Sequence, residues 1–301
     1  MRVVIVTYSP GPTLAMCLAS LERALSGPYE VVLADNGSTD GAPEAAIRPG
    51  GETAPVRLLR MPANLGYGVA ANAGARNTES EWILVTNPDV VFEPGAVDEM
   101  IAAGGRWPRA GSVGPAILTP DGAVYPSARS VPHPVRGVAH AALGWWWTSN
   151  PWTVAYRRER SELAEHACDW LSGSCLLVRS AAWRSVGGFD PGYFMYFEDL
   201  DLGERLGGAG WLNVYAPTAR VTHEGGHATS RQSARMAAAH HDSAYRYVSR
   251  RWPGWRAAPF RLVVRFGLAA RLALTRALNI LGSGKVATRS REHLPDSSSD
   301  D

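Results

Sequence analysis

Apolar and polar stretches alternate along the first half of this chain. Short runs of β-branched and aliphatic residues predict buried strands, and the segments between them predict helices. The predicted strands are Arg2–Tyr8, Tyr29–Ala34, Val56–Arg60, Trp82–Thr86 and Ser112–Ile117. The predicted helices are Leu14–Leu25, a short one after Asp40, one that opens in Asn64–Gly68 and ends at Arg76, and Pro94–Gly104. This order is typical of an α/β fold in which helices cover both faces of a mostly parallel sheet.

The second half of the chain is less regular. Its pattern predicts a strand at Trp170–Arg179, a helix from Phe197 to Leu206 and a final strand at Trp211–Tyr215. Residues 282–301 are rich in Ser, Asp and Gly, which predicts a disordered tail.

Polar residues directly follow several predicted strands. In an open parallel sheet, ligands bind beyond the carboxyl ends of the strands, and Thr7-Tyr8-Ser9, Asp35 and Asn87-Pro88-Asp89 lie at such ends. Asp35 is suited to accept hydrogen bonds from a nucleobase or ribose, with Gly37 allowing close approach, although an Asx turn explains the same residues. Asp89 is suited to a divalent cation that shares phosphate oxygens, although Asn-Pro-Asp also forms ordinary turns.

The segment Gly187–Arg205 places Glu198, Asp199 and Asp201 directly after a run of aromatic residues. Burying carboxylates beside aromatic surface is costly unless they are paired, metal-bound or needed for chemistry. Acidic residues also favour the first turn of a helix, and Asp201 is placed to pair with Arg205 four residues later. This segment alone is compatible with a catalytic site and with an ordinary helix start.

Charge is distributed unevenly over the 301 residues. The segment from Tyr245 to the end carries a net charge of +7, whereas the remainder carries −5. Within it, Arg256–Arg276 predicts an imperfect amphipathic helix with Arg261 and Arg265 roughly opposite Phe266. Such a helix suits an anionic membrane surface, and packing against the domain is the alternative. Nucleic-acid binding is not expected, because no nucleic-acid-binding motif accompanies the charge.

The N-terminus and the cysteines favour a cytosolic protein. We see no signal peptide and no apolar run of the roughly 18 residues that a membrane span requires. The three cysteines, Cys17, Cys168 and Cys175, are odd in number and lack metal-ligand spacing. They are expected to be reduced, packed thiols.

Five motifs in a fixed order carry a family resemblance. They are Ala34–Gly41, Asn64–Gly68, Asn87-Pro88-Asp89, Trp170–Cys175 and Gly188–Asp201. Over about residues 2–245 they resemble the inverting glycosyltransferases of family 2 with the GT-A nucleotide-diphospho-sugar transferase fold, particularly the rhamnosyltransferase branch. The resemblance implies a catalytic domain at 1–245, with a nucleotide-sugar-binding half at 1–117 and an acceptor and catalytic half at 118–245. A basic amphipathic helical extension is expected at 246–281.

The resemblance also implies roles for individual residues. Asp199 matches the family's catalytic base, and its place near a helix N-terminus is expected to keep it ionised but weaken its basicity. The residues expected to hold the nucleotide are Thr7, Tyr8, Ser9, Asp35 and Gly37, and those near the sugar-nucleotide are Asn64, Gly66, Gly68 and Asn72. Further contacts with a substrate, or with the groups that orient it, are expected from Asn87, Trp170, Ser172, Gly173, Glu198, Asp201 and Arg205.

The metal site is where the chain departs from the family pattern. Asp89 matches the last position of the family's Asp-x-Asp motif, but Asn87 replaces the first Asp. A second protein ligand is therefore needed, and the resemblance points to His223, with His227 as an alternative. The expected cofactor is Mg²⁺ or Mn²⁺.

The reaction implied by the resemblance is transfer of L-rhamnose from dTDP-L-rhamnose to polyprenyl-diphospho-N-acetylglucosamine, a step of cell-wall linker synthesis at the cytoplasmic face of the membrane. One alternative is a family 2 transferase with another nucleotide sugar and a polysaccharide or soluble acceptor. A second is a non-catalytic sugar-nucleotide-binding protein, although the presence of both Asp89 and Asp199 argues against it.

Overall fold

A computed structural model describes residues 1–51, 54–131, 164–225, 233–271 and 273. The chain divides into two compact units, Met1–Arg231 and Gln232–Asp301. The elements described in the first unit are, in chain order, β1 (Arg2–Thr7), α1 (Thr13–Ala24), β2 (Glu30–Asp35), α2 (Ala42–Ala45), β3 (Val56–Arg60), α3 (Tyr67–Gly74), β4 (Trp82–Thr86), β5 (Val90–Phe92), α4 (Ala96–Arg106), β6 (Ala110–Leu118), β7 (Val124–Tyr125), β8 (Ala128–Arg129), β9 (His166–Cys168), β10 (Trp170–Leu171), β11 (Cys175–Arg179), α5 (Ser180–Val186), α6 (Glu198–Gly208) and β12 (Leu212–His223).

A single mixed sheet organises the first unit, with the strand order β3-β2-β1-β4-β11-β6-β12-β5. Strands β1 to β4 pair in parallel, whereas β11 runs antiparallel between β4 and β6. Because β11 is reversed, its first residue, Cys175, lies opposite Thr86 at the end of β4. Likewise, His223 at the end of β12 lies opposite Val90 at the start of β5. The carboxyl ends of the parallel strands and the start of β11 therefore share one edge of the sheet.

Helices pack on both faces of this sheet, and alternate strand residues point into two apolar cores. Val3, Ile5 and Leu84 pack with side chains of α1 and α4 on one face. Val4 and Val85 pack with side chains of α3, α5 and α6 on the other face. This arrangement confirms the predicted α/β fold with helices on both faces of a mixed, mostly parallel sheet.

The three elements predicted in the second half of the chain have different bounds in the structure. The strand predicted at Trp170–Arg179 is interrupted at residues 172–174, because β10 pairs with β8 in a separate two-stranded sheet while β11 enters the main sheet. The predicted final strand is longer, because β12 pairs with β6 as far as Thr222 and with β5 as far as His223. The helix expected from Phe197 begins at Glu198.

The described part of the second unit is mostly helical, with a non-helical link at residues 252–254. It contains α7 (Ser233–Arg251), which the sequence pattern did not predict, a short 3-10 helix at Trp255–Ala257, and helical backbone over residues 258–271. The predicted end of the catalytic domain at residue 245 falls within α7, whereas the compact units divide after Arg231. None of the described helices combines the length and apolarity that a membrane crossing requires. The tail predicted at 282–301 lies outside the described residues.

Candidate active site

Asp35 organises the turn beyond β1 and β2. Its side chain is fully buried and accepts hydrogen bonds from Thr7 Oγ1 at 2.8 Å, from the hydroxyl and amide of Ser38, and from the Gly37 amide at 3.3 Å. Arg60, at the end of β3, also reaches Asp35 Oδ2 at 3.3 Å. These contacts agree with the Asx-turn interpretation of Asp35. Binding of a nucleotide by this turn stays a prediction.

Tyr8 and Ser9, directly after β1, have access to solvent. Tyr8 is 37% exposed. Ser9 has a φ of 48°, a left-handed backbone that is uncommon outside glycine. The Ser9 amide donates to Ser38 Oγ at 2.8 Å, and Ser9 Oγ accepts from the Thr39 amide at 3.1 Å. The predicted nucleotide-binding residues Thr7, Ser9, Asp35 and Gly37 are therefore joined in one hydrogen-bonded network.

The Asn64–Gly68 motif packs against the loop that leads to α6. Gly66 has a φ of 93°, and a Cβ there would lie 2.1 Å from the carbonyl oxygen of Phe194. A Cβ on Gly68 would lie 2.9 Å from the Cβ of Phe189. Both glycines are therefore needed for close contact between two segments of the chain, a role that their expected contact with the donor sugar did not include.

Side-chain amides add to this contact. Asn64 Oδ1 accepts from the Gly66 amide at 3.2 Å. Asn72 binds the backbone of Phe189 twice, donating from Nδ2 to its carbonyl at 2.8 Å and accepting from its amide at 2.9 Å. Asn72 therefore ties α3 to the loop before α6, and its direct contact with a substrate stays a prediction.

The predicted metal ligands lie together at the same edge. Antiparallel pairing of β5 with β12 brings His223 Nε2 to 3.1 Å from Asp89 Oδ1. Asn87, at the predicted site of the missing carboxylate, has its Nδ2 3.2 Å from the same ring nitrogen. The alternative ligand, His227, lies outside the described residues.

The turn between β10 and β11 holds the side chain of Asp199 at this edge of the sheet by a hydrogen bond. The Gly173 amide donates to Asp199 Oδ2 at 3.0 Å, and the Leu200 amide donates to Oδ1 at 2.9 Å. Tyr67 Oη donates to the Gly173 carbonyl at 2.6 Å. In the same turn, Ser174 accepts from the Asn87 amide at 2.9 Å through its carbonyl oxygen. Asp199 and the metal candidates are thereby linked through one short turn.

Burial determines the acidity of the two adjacent carboxylates. It raises the pKa of Asp199, and the amides of Gly173 and Leu200, together with the charge of Arg129, oppose that rise. Burial, together with the charge of Asp199, raises the pKa of Glu198 to about 8. The sequence had suggested that the helix N-terminus would weaken Asp199 as a base. The pKa of Asp199 is instead raised, because the effect of burial is larger than the effect of the helix N-terminus.

The remaining predicted site residues support this arrangement. Asp201 accepts from Arg205 Nε at 2.6 Å, which confirms the predicted i,i+4 pair, and Arg205 Nη1 donates to the Val186 carbonyl at 2.8 Å. Trp170 is buried and donates from its ring nitrogen to the Ser130 carbonyl at 3.3 Å. Ser172 Oγ lies 3.1 Å from Ser174 Oγ.

Three polar side chains at the site were not singled out from the sequence. Tyr67 lies within the Asn64–Gly68 motif, so the motif itself pointed to it. Arg60 ends a predicted strand beside Asp35, and Arg129 lies opposite Trp170 in the β8–β10 pair. Neither arginine was assigned a role from the sequence, and their positions at the site follow from strand pairing.

Comparison with known proteins shows which family the sequence of this chain matches. The sequence model for glycosyl transferase family 2 matches residues 2–170. The chain is 53% identical over 280 residues to the N-acetylglucosaminyl-diphospho-decaprenol L-rhamnosyltransferase of Mycobacterium tuberculosis, covering 89% of this chain and 90% of that protein. The chain belongs to glycosyltransferase family 2. The rhamnosyltransferase WbbL of Escherichia coli is 37% identical over 93 residues, covering 31% of this chain and 35% of that protein.

Solved structures agree on the fold of this family 2 glycosyltransferase. GalNAc-T7, in a crystal structure with UDP, GalNAc and Mn²⁺, superposes with a TM-score of 0.51 at 15% identity, covering 74% of this chain and 43% of that one. Residues 1–349 of Staphylococcus aureus TarS give a TM-score of 0.51 at 14% identity, covering 79% and 64%. At these identities the likeness shows the fold alone, and the predicted GT-A fold is confirmed.

Proposed function

We propose that this glycosyltransferase moves L-rhamnose from dTDP-L-rhamnose to polyprenyl-diphospho-N-acetylglucosamine with inversion. The observation that carries the proposal is the similarity to the mycobacterial rhamnosyltransferase, which extends over most of both chains. The geometry supports it, because a candidate base, a candidate metal site and a nucleotide-binding edge lie together.

Asp199 is the proposed general base. Inversion needs an acceptor hydroxyl to attack the anomeric carbon from the face opposite the leaving diphosphate, and a carboxylate accepts the proton as the new bond forms. The amides of Gly173 and Leu200 fix the orientation of the Asp199 carboxylate. Since burial raises its pKa, Asp199 is a stronger base than an exposed aspartate.

Asp89 and His223 are the proposed metal ligands. A carboxylate oxygen and an imidazole nitrogen already converge to 3.1 Å, and this donor pair suits Mn²⁺ better than Mg²⁺, which prefers oxygen ligands. Among the described residues no group of three or more His, Cys, Asp or Glu side chains is arranged to hold a metal ion. Diphosphate oxygens and water would complete the coordination. The bound cation would offset the charge that grows on the leaving diphosphate.

The helical residues 258–271 are the proposed membrane contact. Val263 and Phe266 are each 70% exposed and lie on one side of the helix, while Arg261 and Arg265 lie on the other. Exposed apolar side chains beside arginines suit the headgroup region of an anionic leaflet. A polyprenyl acceptor is held in such a membrane, so this contact would keep the enzyme at its substrate.

A donor and acceptor panel tests the proposal. The full chain would be incubated with Mn²⁺, a set of nucleotide sugars and a short prenyl-diphospho-N-acetylglucosamine, and the lipid product analysed by mass spectrometry. We expect a mass increase of one deoxyhexose with dTDP-L-rhamnose and no product with UDP-hexoses. Transfer from another donor, or only to an acceptor without lipid, would overturn the proposed specificity.

A further inference from the structure

Arg129 is held beside the proposed catalytic base by two aromatic rings. Its guanidinium carbon lies 5.1 Å from the ring centroid of Tyr125 and 5.1 Å from that of Trp170. Nε donates to the Pro126 carbonyl at 2.7 Å, and Nη2 donates to Tyr125 Oη at 2.6 Å. An arginine stacked and hydrogen-bonded in this way loses little further freedom when it binds a ligand.

The position of Arg129 relative to Asp199 follows from the strand pairing. Arg129 lies directly opposite Trp170 in the β8–β10 pair, and Gly173, three residues further along, donates to Asp199. Among the described residues Arg129 forms no ion pair with a carboxylate, but its positive charge lowers the pKa of Asp199. The guanidinium is therefore near the base without contacting it.

The positive charge of Arg129 disfavours proton transfer to Asp199, so its position needs a different explanation. A cation near a general base stabilises the ionised carboxylate and so lowers its basicity. The acceptor offers an anion at a matching place, because its diphosphate is attached to the sugar whose hydroxyl must reach Asp199. A guanidinium held in place near the base suits that diphosphate, since arginine binds phosphate oxygens through two parallel hydrogen bonds.

We propose that Arg129 binds the diphosphate of the lipid-linked acceptor and so sets the enzyme's preference for diphosphate-linked N-acetylglucosamine. The proposal rests on the proposed function for the identity of the acceptor. The donor diphosphate is proposed to lie elsewhere, at Asp89 and His223, whose side chains are 3.1 Å apart. The two diphosphates would therefore be held by different groups, one by a cation and one by an arginine.

Kinetics with two acceptors test this role. The full chain and Arg129→Gln would be compared on farnesyl-diphospho-N-acetylglucosamine and on octyl β-N-acetylglucosaminide, which lacks the diphosphate. We expect the KM for the diphosphate acceptor to rise about 10- to 100-fold, as for loss of a charged hydrogen-bonding group, with little change for the octyl glycoside or for the donor. The KM of Arg129→Lys for the diphosphate acceptor should lie between those of the wild type and Arg129→Gln, because lysine keeps the charge and lacks the planar guanidinium.

Arg179 offers a matched control. It is also stacked on a tryptophan, 4.2 Å from the ring centroid of Trp82, but it pairs with Glu81 at 2.7 Å at the opposite end of β11. Arg179→Gln should leave the ratio of the two acceptor activities unchanged. Equal losses on both acceptors in Arg129→Gln, or a rise confined to the donor KM, would overturn the assignment.

Binding of farnesyl diphosphate separates this inference from the proposed function. Its affinity can be measured by calorimetric titration without divalent cations, which does not depend on catalytic activity. We expect Arg129→Gln to bind farnesyl diphosphate at least about tenfold more weakly than the wild type does. Equal binding by both proteins would overturn the role of Arg129. Weakened binding together with a different sugar donor would support the role while overturning the proposed rhamnosyl transfer.

Discussion

Asp199 and Glu198 are neighbouring carboxylates with different surroundings. Asp199 is less deeply buried than Glu198 and accepts two backbone hydrogen bonds, whereas Glu198 Oε2 has no hydrogen-bond partner among the described residues. Environments that differ in this way separate the protonation of adjacent acids. We therefore expect Glu198, with its pKa raised to about 8, to carry a proton at neutral pH.

Asp199→Asn is predicted to lower kcat by about 100-fold or more, because the general base acts only as the acceptor loses its proton. Binding of dTDP-L-rhamnose should be almost unchanged, which calorimetry can measure on the same preparation. A variant that keeps more than about a tenth of the wild-type kcat would exclude Asp199 as the base.

Glu198→Gln is predicted to change the pH dependence of stability. The folded-state pKa of about 8 is higher than the ordinary value of 4.5, so the folded chain binds an extra proton between these values. Wild-type stability therefore falls as pH rises from about 4.5 to about 8, and the glutamine variant lacks this loss. The Tm difference, variant minus wild type, should increase through that range and then level off. A constant difference would show that Glu198 ionises normally.

Asp89→Ala and His223→Ala are each predicted to weaken Mn²⁺-dependent binding of dTDP, because both side chains are proposed ligands of the cation that holds the diphosphate. His166→Ala is the control, since that ring packs on Tyr215 instead, 5.4 Å between centroids. Calorimetry with and without Mn²⁺ gives the comparison. Unchanged binding by His223→Ala would assign His223 a structural role.

At the scale of elements, the start of α6 is held in a strained conformation by α3. Tyr196 and Phe197, directly before the helix, have φ values of 68° and 67°, which cost about 1–3 kcal/mol each in non-glycine residues. The Tyr67 amide donates to the Phe194 carbonyl at 3.0 Å, and Asn72 holds Phe189. Contact between these segments therefore keeps Asp199 in place.

Gly66→Ala is predicted to destabilise the fold by about 2 kcal/mol or more, because the new Cβ would meet backbone at 2.1 Å from a residue with positive φ. Gly105→Ala, at an exposed helical position where a Cβ meets open space, is the control and should stabilise by about 0.5–1 kcal/mol. Urea unfolding of both variants gives the two values. Equal stability of Gly66→Ala and the wild type would show that the segments around Gly66 and Phe194 can move apart at little cost.

Local pattern was sufficient for some elements and insufficient for others. Strands β1 to β4 were predictable because each is a short, buried apolar run ended by a turn. The break at residues 172–174 and the extension of β12 to His223 were not, because both depend on pairing with β8 and β5, far away in sequence. The pairing of Asp89 with His223 came from family resemblance, and the raised pKa of Glu198 depends on burial, which spacing does not reveal.

At the scale of the whole molecule, chemistry and proposed membrane contact belong to separate compact units. The catalytic and metal candidates lie in Met1–Arg231, and the exposed apolar side chains of residues 258–271 lie in Gln232–Asp301. Changes at the proposed membrane contact should therefore leave the chemistry intact.

Val263→Ser combined with Phe266→Ser is predicted to weaken binding to phosphatidylglycerol vesicles by about tenfold or more, because two apolar side chains lose their burial in the leaflet. Activity on a short-chain acceptor should be kept. Met16→Ser, at a 49% exposed position in α1, is the control. Vesicle sedimentation at low and high salt would also show weaker binding at high salt, since arginine charges contribute. Salt-independent binding by all three proteins would contradict the proposed contact.

The reversed strand β11 also constrains the order in which a nascent chain can acquire structure. Until Cys175–Arg179 leaves the ribosome, β4 lacks its second neighbour and β6 cannot join the sheet, because β11 separates them. Unpaired strand edges attract other chains and invite aggregation. A ribosome-stalled chain ending near residue 150 should therefore engage chaperones, and one that exposes residues through β12 should be released from them.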